Sequence, residues 1–129
     1  MIVVVVAAVF EDRHRFLVTR RPPGVHLAGM WEFPGGKIDP DESHATALRR
    51  EIREELDVDI EVGELTYHTT HAYPDVTVAL YFYRCALLGT PRPLLGQEMT
   101  WVSRADLAAL GFPAADKELI ELLTTSGAR

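Results

Sequence analysis

Three glutamates between residues 51 and 55 have the spacing of a metal-binding site. At 100° per residue on a helix, Glu51, Glu54 and Glu55 fall within one third of the circumference, because they are spaced i, i+3 and i+4. Like charges at this spacing repel each other by roughly 0.2–0.5 kcal/mol per pair even in solvent. Mg²⁺ prefers hard oxygen ligands and typically joins one or two carboxylates to substrate phosphates. The trio therefore predicts metal-assisted phosphoryl chemistry with activation of water; a solvated acidic helix face is the alternative interpretation.

Residues around this trio fit the same chemistry. Arg50 precedes Glu54 by four residues, so it can pair with that carboxylate and orient it. The pair Gly35 and Gly36 allows the backbone to turn tightly and to approach a ligand or metal with a carbonyl. The sequence thus predicts a loop and a helix that share one site.

The complete spacing of this segment resembles a known motif. It reads Gly36, five residues, Glu42, seven residues, then Arg50, Glu51, Ile52, one residue, Glu54 and Glu55. This resembles the Nudix box, G-x5-E-x7-R-E-U-x-E-E-x-G-U, where U is aliphatic. Asp57 stands where the motif has Gly, and Asp tolerates the left-handed conformation that would end the helix there.

Segments outside the box resemble the MutT-type subgroup of the same family. They are Thr19-Arg20-Arg21, Trp31 to Lys37, Tyr73-Pro74-Asp75 and Phe112 to Asp116. The resemblance implies an α/β/α sandwich with a mixed β-sheet and a catalytic loop–helix–loop. It also implies Mg²⁺-dependent attack of water within a nucleoside triphosphate chain, releasing the monophosphate and pyrophosphate, with Mn²⁺ as a substitute metal. Oxidised dGTP such as 8-oxo-dGTP is the first expected substrate, and CTP or modified dCTP is the alternative.

The resemblance also implies roles for individual residues. The Gly35 carbonyl with Glu51, Glu54 and Glu55 would hold metal, and Glu54 is the first choice as general base. Glu42 and Arg50 would brace the loop and helix. The expected substrate-binding residues are Arg21 at phosphate, Phe33 and Asp116 at the base, and Lys37 and His26 near the substrate. For His26, a surface loop position without this role is the alternative.

Two further positions carry alternatives of their own. MutT-type enzymes usually have another glutamate six residues before a late Trp, but here that position is Leu95, so Glu98, three residues before Trp101, is the nearest replacement. Its alternative is an exposed loop acid. Asp116 can accept a hydrogen bond from an exocyclic amino group, or donate one if burial keeps it protonated. It is also suited to cap a helix N-terminus.

Periodicity predicts the elements that must position these residues, and together they favour an α+β domain. Residues 2–9 predict a strand buried on both faces, and residues 16–19 predict its hairpin partner. Residues 20–37 contain seven Pro and Gly residues and predict a loop with an extended piece at 30–33. Further predictions are helices at 43–56, from 103 to about 110 and at 115–123, a hairpin of 60–70 with 76–86, and a strand near 99–102.

Composition bounds the function. The chain has 129 residues, which predicts one domain over residues 1–129, and its 13 Lys and Arg against 19 Asp and Glu give a net charge of −6. That balance disfavours binding to nucleic-acid polymers. The apolar run at residues 2–10 has nine residues, too few for a membrane span, and one cysteine excludes an internal disulfide. We therefore expect a cytoplasmic protein. The resemblance adds a small nucleotide substrate as the expected partner, and both a monomer and a homodimer stay open. The competing class is a nucleotide-sensing domain without catalysis, which would not need three grouped acids.

Overall fold

The computed structural model describes residues 1–25 and 27–126, which form a mixed β-sheet with helices on both faces. The strands are β1 (Ile2–Asp12), β2 (Arg15–Arg20), β3 (Trp31–Glu32), β4 (Gly35–Lys37), β5 (Ile60–Ala72), β6 (Thr77–Leu87) and β7 (Met99–Ser103). The helices are α1 (His44–Leu56), α2 (Arg104–Leu107) and α3 (Lys117–Ser126), with a 3₁₀ turn at Ala114–Asp116 before α3.

The strand order is β3-β2-β1-β6-β5, with β4 paired to β1 and β7 paired to β2. Strands β1 and β6 are parallel, from Ile2 opposite Thr77 to Phe10 opposite Cys85, and the other pairs are antiparallel. This topology confirms the predicted α+β class with a mixed sheet. Within the described residues, no helix has the length and apolar character needed to span a membrane.

Helix α1 packs on one face of the sheet through the predicted apolar stripe. Its buried residues are Ala47, Leu48, Ile52 and Leu56, and they contact Val6, Ala8 and Phe10 of β1. Full burial of each large aliphatic side chain stabilises the fold by about 1.5–3 kcal/mol. A second core on the opposite face joins Leu107 of α2 and Leu119, Ile120 and Leu123 of α3 to the sheet. Helix α1, which carries the three grouped glutamates, is therefore held on the sheet by packing of its apolar face.

Both ends of α1 have a capping hydrogen bond. At the start, the Ser43 hydroxyl accepts a hydrogen bond from the Thr46 N–H. At the end, Asp57 adopts the left-handed conformation, with φ 52° and ψ 44°, and its N–H donates to the Arg53 carbonyl. Asp57 also pairs with Arg92, and this contact lowers the pKa of Asp57. An aspartate thus ends the helix where the motif has glycine.

Several boundaries differ from the sequence predictions. The first strand is buried on both faces only from Val6 to Phe10, while Ile2 is 60% exposed, because α1 covers only the second half of β1. Gly35–Lys37 forms strand β4 where a loop was expected. Helix α2 ends at Leu107 instead of Leu110. The last helix begins as the 3₁₀ turn and continues to Ser126.

Candidate functional site

Arg50 lies at the centre of the acidic face of α1. Its guanidinium donates two hydrogen bonds to Glu42, at 2.7 and 2.8 Å, one to Glu51 at 2.9 Å and one to Glu54 at 3.0 Å. It also donates to the Lys37 carbonyl at 3.0 Å. These contacts raise the pKa of Arg50, chiefly through Glu42, and Arg50 in turn lowers the pKa of Glu42 to about 2. The guanidinium therefore joins the loop after β4 to two of the three grouped acids.

The two glycines of β4 allow this face to approach the sheet. A Cβ on Gly35 would lie 2.0 Å from the Val6 carbonyl oxygen, so only glycine permits the pairing of β4 with β1. A Cβ on Gly36 would lie 2.3 Å from Glu51 Oε2. The Glu51 carboxylate thus occupies the space that a side chain at position 36 would fill.

Glu55, like Glu51, is only partly exposed. Burial raises its pKa to about 9, and the charges of Glu32 and Glu51 add to the rise, while a backbone hydrogen bond with Gly35 opposes it. Glu54, by contrast, has a side chain that is 56% exposed. The acidic face therefore combines one solvent-facing carboxylate with one whose charged form is disfavoured unless a cation offsets the neighbouring negative charge.

The carboxylates of the acidic face suit a hard divalent cation, although Arg50 already pairs with two of them. Among residues 1–25 and 27–126, no group of three His, Cys, Asp or Glu side chains is arranged as a ready metal site. The Glu51 and Glu54 carboxylates instead pair with Arg50. Carboxylate oxygens are the ligands that Mg²⁺ and related ions prefer, and a cation would offset the local excess of negative charge that raises the pKa of Glu55. The residues present therefore fit a divalent ion.

A cavity of about 490 Å³ opens beside Gly35 and Gly36. Its volume is in the range of small-molecule sites. It is lined by five of the residues predicted from the sequence, namely Arg21, Phe33, Gly35, Lys37 and Asp116. Residues far apart in the chain thus meet along one cavity, and its lining includes Gly36, the glycine against which Glu51 packs.

Acidic groups lie in the wall of this cavity. Asp116 is only 5% exposed, and burial raises its pKa to about 7, with Glu32 adding to the rise. Glu32 is itself buried enough for its pKa to be raised, although Arg21, which donates to it at 2.9 Å, acts in the opposite direction. Near neutral pH, Asp116 is therefore poised to donate as well as accept a hydrogen bond.

Phe33 fixes another part of the wall. Its ring stacks on Phe112, with centroids 5.4 Å apart, and meets Phe82 edge to face at 5.8 Å. These contacts make Phe33 a rigid apolar surface beside Asp116. Lys37 is exposed at the cavity margin.

Among the predicted site residues, Arg50, Glu51, Glu54 and Glu55 form the acidic face of α1 and do not line this cavity, and Glu98 belongs to neither group. Glu98 pairs with Arg20 at 3.1 Å, is 63% exposed and lines a separate surface pocket that includes Arg20 and Gly29. The neighbouring Gln97 does reach α1, where it donates to the Glu55 carbonyl at 3.2 Å. His26 lies outside the described residues.

Glu32 and Tyr73 line the cavity but received no role from the sequence. Glu32 directly precedes the predicted site residue Phe33, and this adjacency was the one feature of the sequence that could have indicated a place for Glu32 in the site. Tyr73 belongs to a segment whose resemblance was noted, but nothing local in the sequence indicates its partner. Both residues acquire their place through contacts with distant segments.

A larger cavity of about 690 Å³ lies at the other end of β1. Its lining includes Phe10, Glu11, Arg84, Cys85 and Trp101. Cys85 there is a weak nucleophile, because burial raises its pKa to about 11. None of the predicted site residues lines this cavity, so the smaller one remains the candidate site.

Comparison with known proteins matches this chain to a family. A family model described as the NUDIX domain matches residues 5–122. The CTP pyrophosphohydrolase of Escherichia coli K12 is 35% identical over 118 residues, which are 91% of this chain and 87% of that protein. The 8-oxo-dGTP diphosphatase of the same strain is 31% identical over 121 residues, 93% of this chain and 94% of that protein.

A solved structure extends the match to the fold. The solution structure of the E. coli ORF135 protein has a TM-score of 0.85 and 33% sequence identity, covering 99% of this chain and 93% of that one. Hydrolases of the matched family generally use divalent metal ions. With the family model spanning most of the chain and with relatives above 30% identity over nearly their full lengths, the chain belongs to the Nudix family as a hydrolase of the MutT type.

Proposed function

We propose that this Nudix hydrolase is a Mg²⁺-dependent nucleoside triphosphate diphosphatase that releases the monophosphate and pyrophosphate. Oxidised dGTP such as 8-oxo-dGTP is the first substrate proposed, and CTP or modified dCTP is the second. The observation that carries the proposal is the single cavity whose lining runs from Gly35 and Gly36, beside Glu51, to the buried Asp116. Relatives named for both activities align over more than four-fifths of their lengths, which supports the same chemistry here.

The phosphate end of the substrate would lie toward β4. Arg21 and Lys37 line this part of the cavity and supply positive charge, although Arg21 also pairs with Glu32. When bound by Glu51, Glu54, Glu55 and the Gly35 carbonyl, Mg²⁺ would offset phosphate charge and lower the pKa of a water molecule. Positive charge from Arg21, Lys37 and the metal ion would explain how an acidic protein can bind a polyanionic substrate.

Glu54 is the proposed general base. Its carboxylate is exposed, whereas Glu55 is only partly exposed and Glu51 is enclosed against Gly36. Arg50 fixes Glu54 through the 3.0 Å hydrogen bond. Glu54 would take the proton as the water oxygen forms a bond to phosphorus, and the bridging oxygen would leave with the monophosphate or pyrophosphate. A catalytic role for Glu98 stays a prediction, since Glu98 pairs with Arg20.

At the base end, Asp116 supports both proposed substrates. A neutral carboxyl group has one donor and one acceptor side by side. This pair complements the N7–H and O6 edge of 8-oxoguanine and also the N3 and N4 amino edge of cytosine. The N7 and O6 edge of unoxidised guanine offers two acceptors and complements it poorly. Unmatched buried polar groups are costly, so the difference would discriminate strongly.

A nucleotide panel tests the proposal. Purified protein is incubated with 8-oxo-dGTP, dGTP, CTP, 5-methyl-dCTP and UTP, with Mg²⁺, with Mn²⁺ or with EDTA, and pyrophosphate release is measured. We expect hydrolysis with Mg²⁺ and none with EDTA. A preference for cytidine nucleotides of about tenfold or more would replace the first substrate by the second. Tight nucleotide binding without hydrolysis would instead support the sensing domain.

The remaining features of the proposal come from composition alone. A single domain over residues 1–129, a cytoplasmic location, a monomeric or homodimeric state and indifference to nucleic-acid polymers stay predictions.

A further inference from the structure

We propose that Tyr73 is a positioning residue that holds Asp116 and thereby sets base selectivity. The inference rests on the proposed function, because it assigns a determinant of selectivity at the base end of the same cavity. Tyr73 acts through the backbone of the 3₁₀ turn at Ala114–Asp116.

The contact joins two segments that are distant in the chain. The Ala115 N–H donates a hydrogen bond of 3.1 Å to the Tyr73 hydroxyl oxygen. The first N–H groups of a helical turn have no hydrogen-bond acceptor within the turn. The Tyr73 hydroxyl oxygen supplies an acceptor for one of them, the N–H of Ala115. Ala115 is the residue next to Asp116, and both line the cavity together with Tyr73. Displacement of Ala115 would therefore displace Asp116.

Tyr73 is itself held in place. Its N–H donates to the Val76 carbonyl at 2.8 Å, which closes the turn between β5 and β6, and its ring packs against His71 at a centroid distance of 4.5 Å. Burial raises the pKa of Tyr73, and the charge of Asp116 adds to the rise, which agrees with their proximity. The hydroxyl is thus a fixed point against which the 3₁₀ turn is set.

The segment before Asp116 is anchored separately. The Trp31 N–H donates to the Gly111 carbonyl at 2.8 Å, and Phe112 stacks on Phe33. These contacts fix the approach to the turn, while Tyr73 fixes the turn itself. Hydrogen-bond recognition of a base tolerates displacements of only about 0.5 Å, so loss of the second anchor should weaken discrimination more than it weakens the fold.

The chain supplies a matched control in β5, the strand that ends directly before Tyr73. The Tyr67 hydroxyl donates to Glu118 Oε2 at 2.7 Å, so it also joins β5 to the C-terminal helical segment. Tyr67 does not line the cavity. Replacement of either tyrosine by Phe removes one hydroxyl that links the same two parts of the fold, but only Tyr73 lies next to Asp116.

The experiment compares Tyr73→Phe with Tyr67→Phe in kcat/KM for 8-oxo-dGTP, dGTP, CTP and UTP. We expect Tyr73→Phe to change the ratio between preferred and non-preferred nucleotide by about fivefold or more. We expect Tyr67→Phe to leave the ratio within about twofold, even if both variants lose similar stability. An equal effect of the two variants on selectivity would overturn the inference, because a purely structural link would act alike at both positions.

A double-mutant cycle separates positioning from direct contact. If Tyr73 acts through Asp116, Tyr73→Phe should leave the selectivity ratio unchanged in an Asp116→Ala background, which has no side-chain donor or acceptor at position 116. An additive effect would overturn the inference, since Tyr73 would then read the base directly.

Product binding keeps the test independent of turnover. The affinities of CMP, UMP, 8-oxo-dGMP and dGMP are measured by calorimetry without metal for the wild type and both variants. If the wild type hydrolyses no triphosphate, the proposed function fails, but a change in monophosphate selectivity confined to Tyr73→Phe would still support the positioning role. Unchanged monophosphate selectivity in that variant would overturn it.

Discussion

Arg50 and Glu42 form a two-pronged ion pair, with Nε 2.7 Å from Oε2 and Nη2 2.8 Å from Oε1. Glu42 lies in the loop before α1, and Arg50 lies on α1 itself, so the pair fixes the loop against the helix. The remaining guanidinium nitrogen, Nη1, holds Glu51 and Glu54. Charge alone cannot reproduce this pattern, because it depends on the planar fork of arginine.

Arg50→Lys tests the geometric role of this pair. A lysine keeps the positive charge but cannot donate in parallel to Glu42 while also reaching Glu51 and Glu54. We expect kcat to fall by about tenfold or more and the free energy of unfolding to fall by about 1–2 kcal/mol. Steady-state kinetics and urea denaturation measure the two effects. The control is Arg49→Lys, at the adjacent exposed position on α1, which should resemble the wild type in both. Full activity of Arg50→Lys would show that charge alone suffices.

Glu54→Gln tests the general base. The substitution preserves shape but removes the group that would accept the proton, so turnover should fall by about a hundredfold or more with little loss of stability. Pyrophosphate release and the thermal midpoint are measured together. Glu121→Gln, an exposed glutamate on α3, provides the same chemical change outside the site. Near-normal turnover of Glu54→Gln would remove Glu54 from the role.

Gly36→Ala tests the close approach of Glu51 to β4. The added Cβ would lie 2.3–2.7 Å from the Glu51 carboxyl atoms, so that carboxylate must move. We expect activity to fall by about tenfold or more, while the circular dichroism spectrum stays that of the wild type. Gly111→Ala is the matched control, because its nearest atom is Met30 Sδ at 3.8 Å, an ordinary contact. Equal activity of both variants would mean that Glu51 need not be held there.

Local chemistry explains what the sequence could predict. The acidic trio, the apolar stripe of α1 and the left-handed end at Asp57 all follow from helix geometry and from the conformational tolerance of aspartate. Glycine and proline mark breaks in regular structure, so the pairing of Gly35–Lys37 with β1 was missed. That strand exists because the missing side chain allows close approach to Val6, which depends on tertiary packing.

The buried acids of the cavity lie beyond local reasoning for the same reason. Glu32 acquires its environment from Arg21 and from proximity to Asp116, more than eighty residues away. Resemblance placed Asp116 in the base pocket, but its alternative, a helix cap, could be weighed only once its burial was known. For Glu98, sequence spacing could not distinguish Arg20 from α1 as its partner.

Asp116→Asn tests the protonation of the buried carboxyl through stability. The pKa of Asp116 is about 7 in the folded protein and near its ordinary value of 3.8 in the unfolded chain. Between these values the folded state holds a proton that the unfolded state has released, so the contribution of Asp116 to the free energy of unfolding falls as pH rises. The slope is about 1.4 kcal/mol per pH unit at most, and it vanishes below about pH 4 and above about pH 7. Asparagine does not titrate, so the stability of the wild type relative to Asp116→Asn should decline from pH 4 to pH 7 and then level off. Urea denaturation of both proteins at intervals of half a pH unit measures this difference, and parallel stability curves across that window would show that Asp116 is ionised in the folded protein.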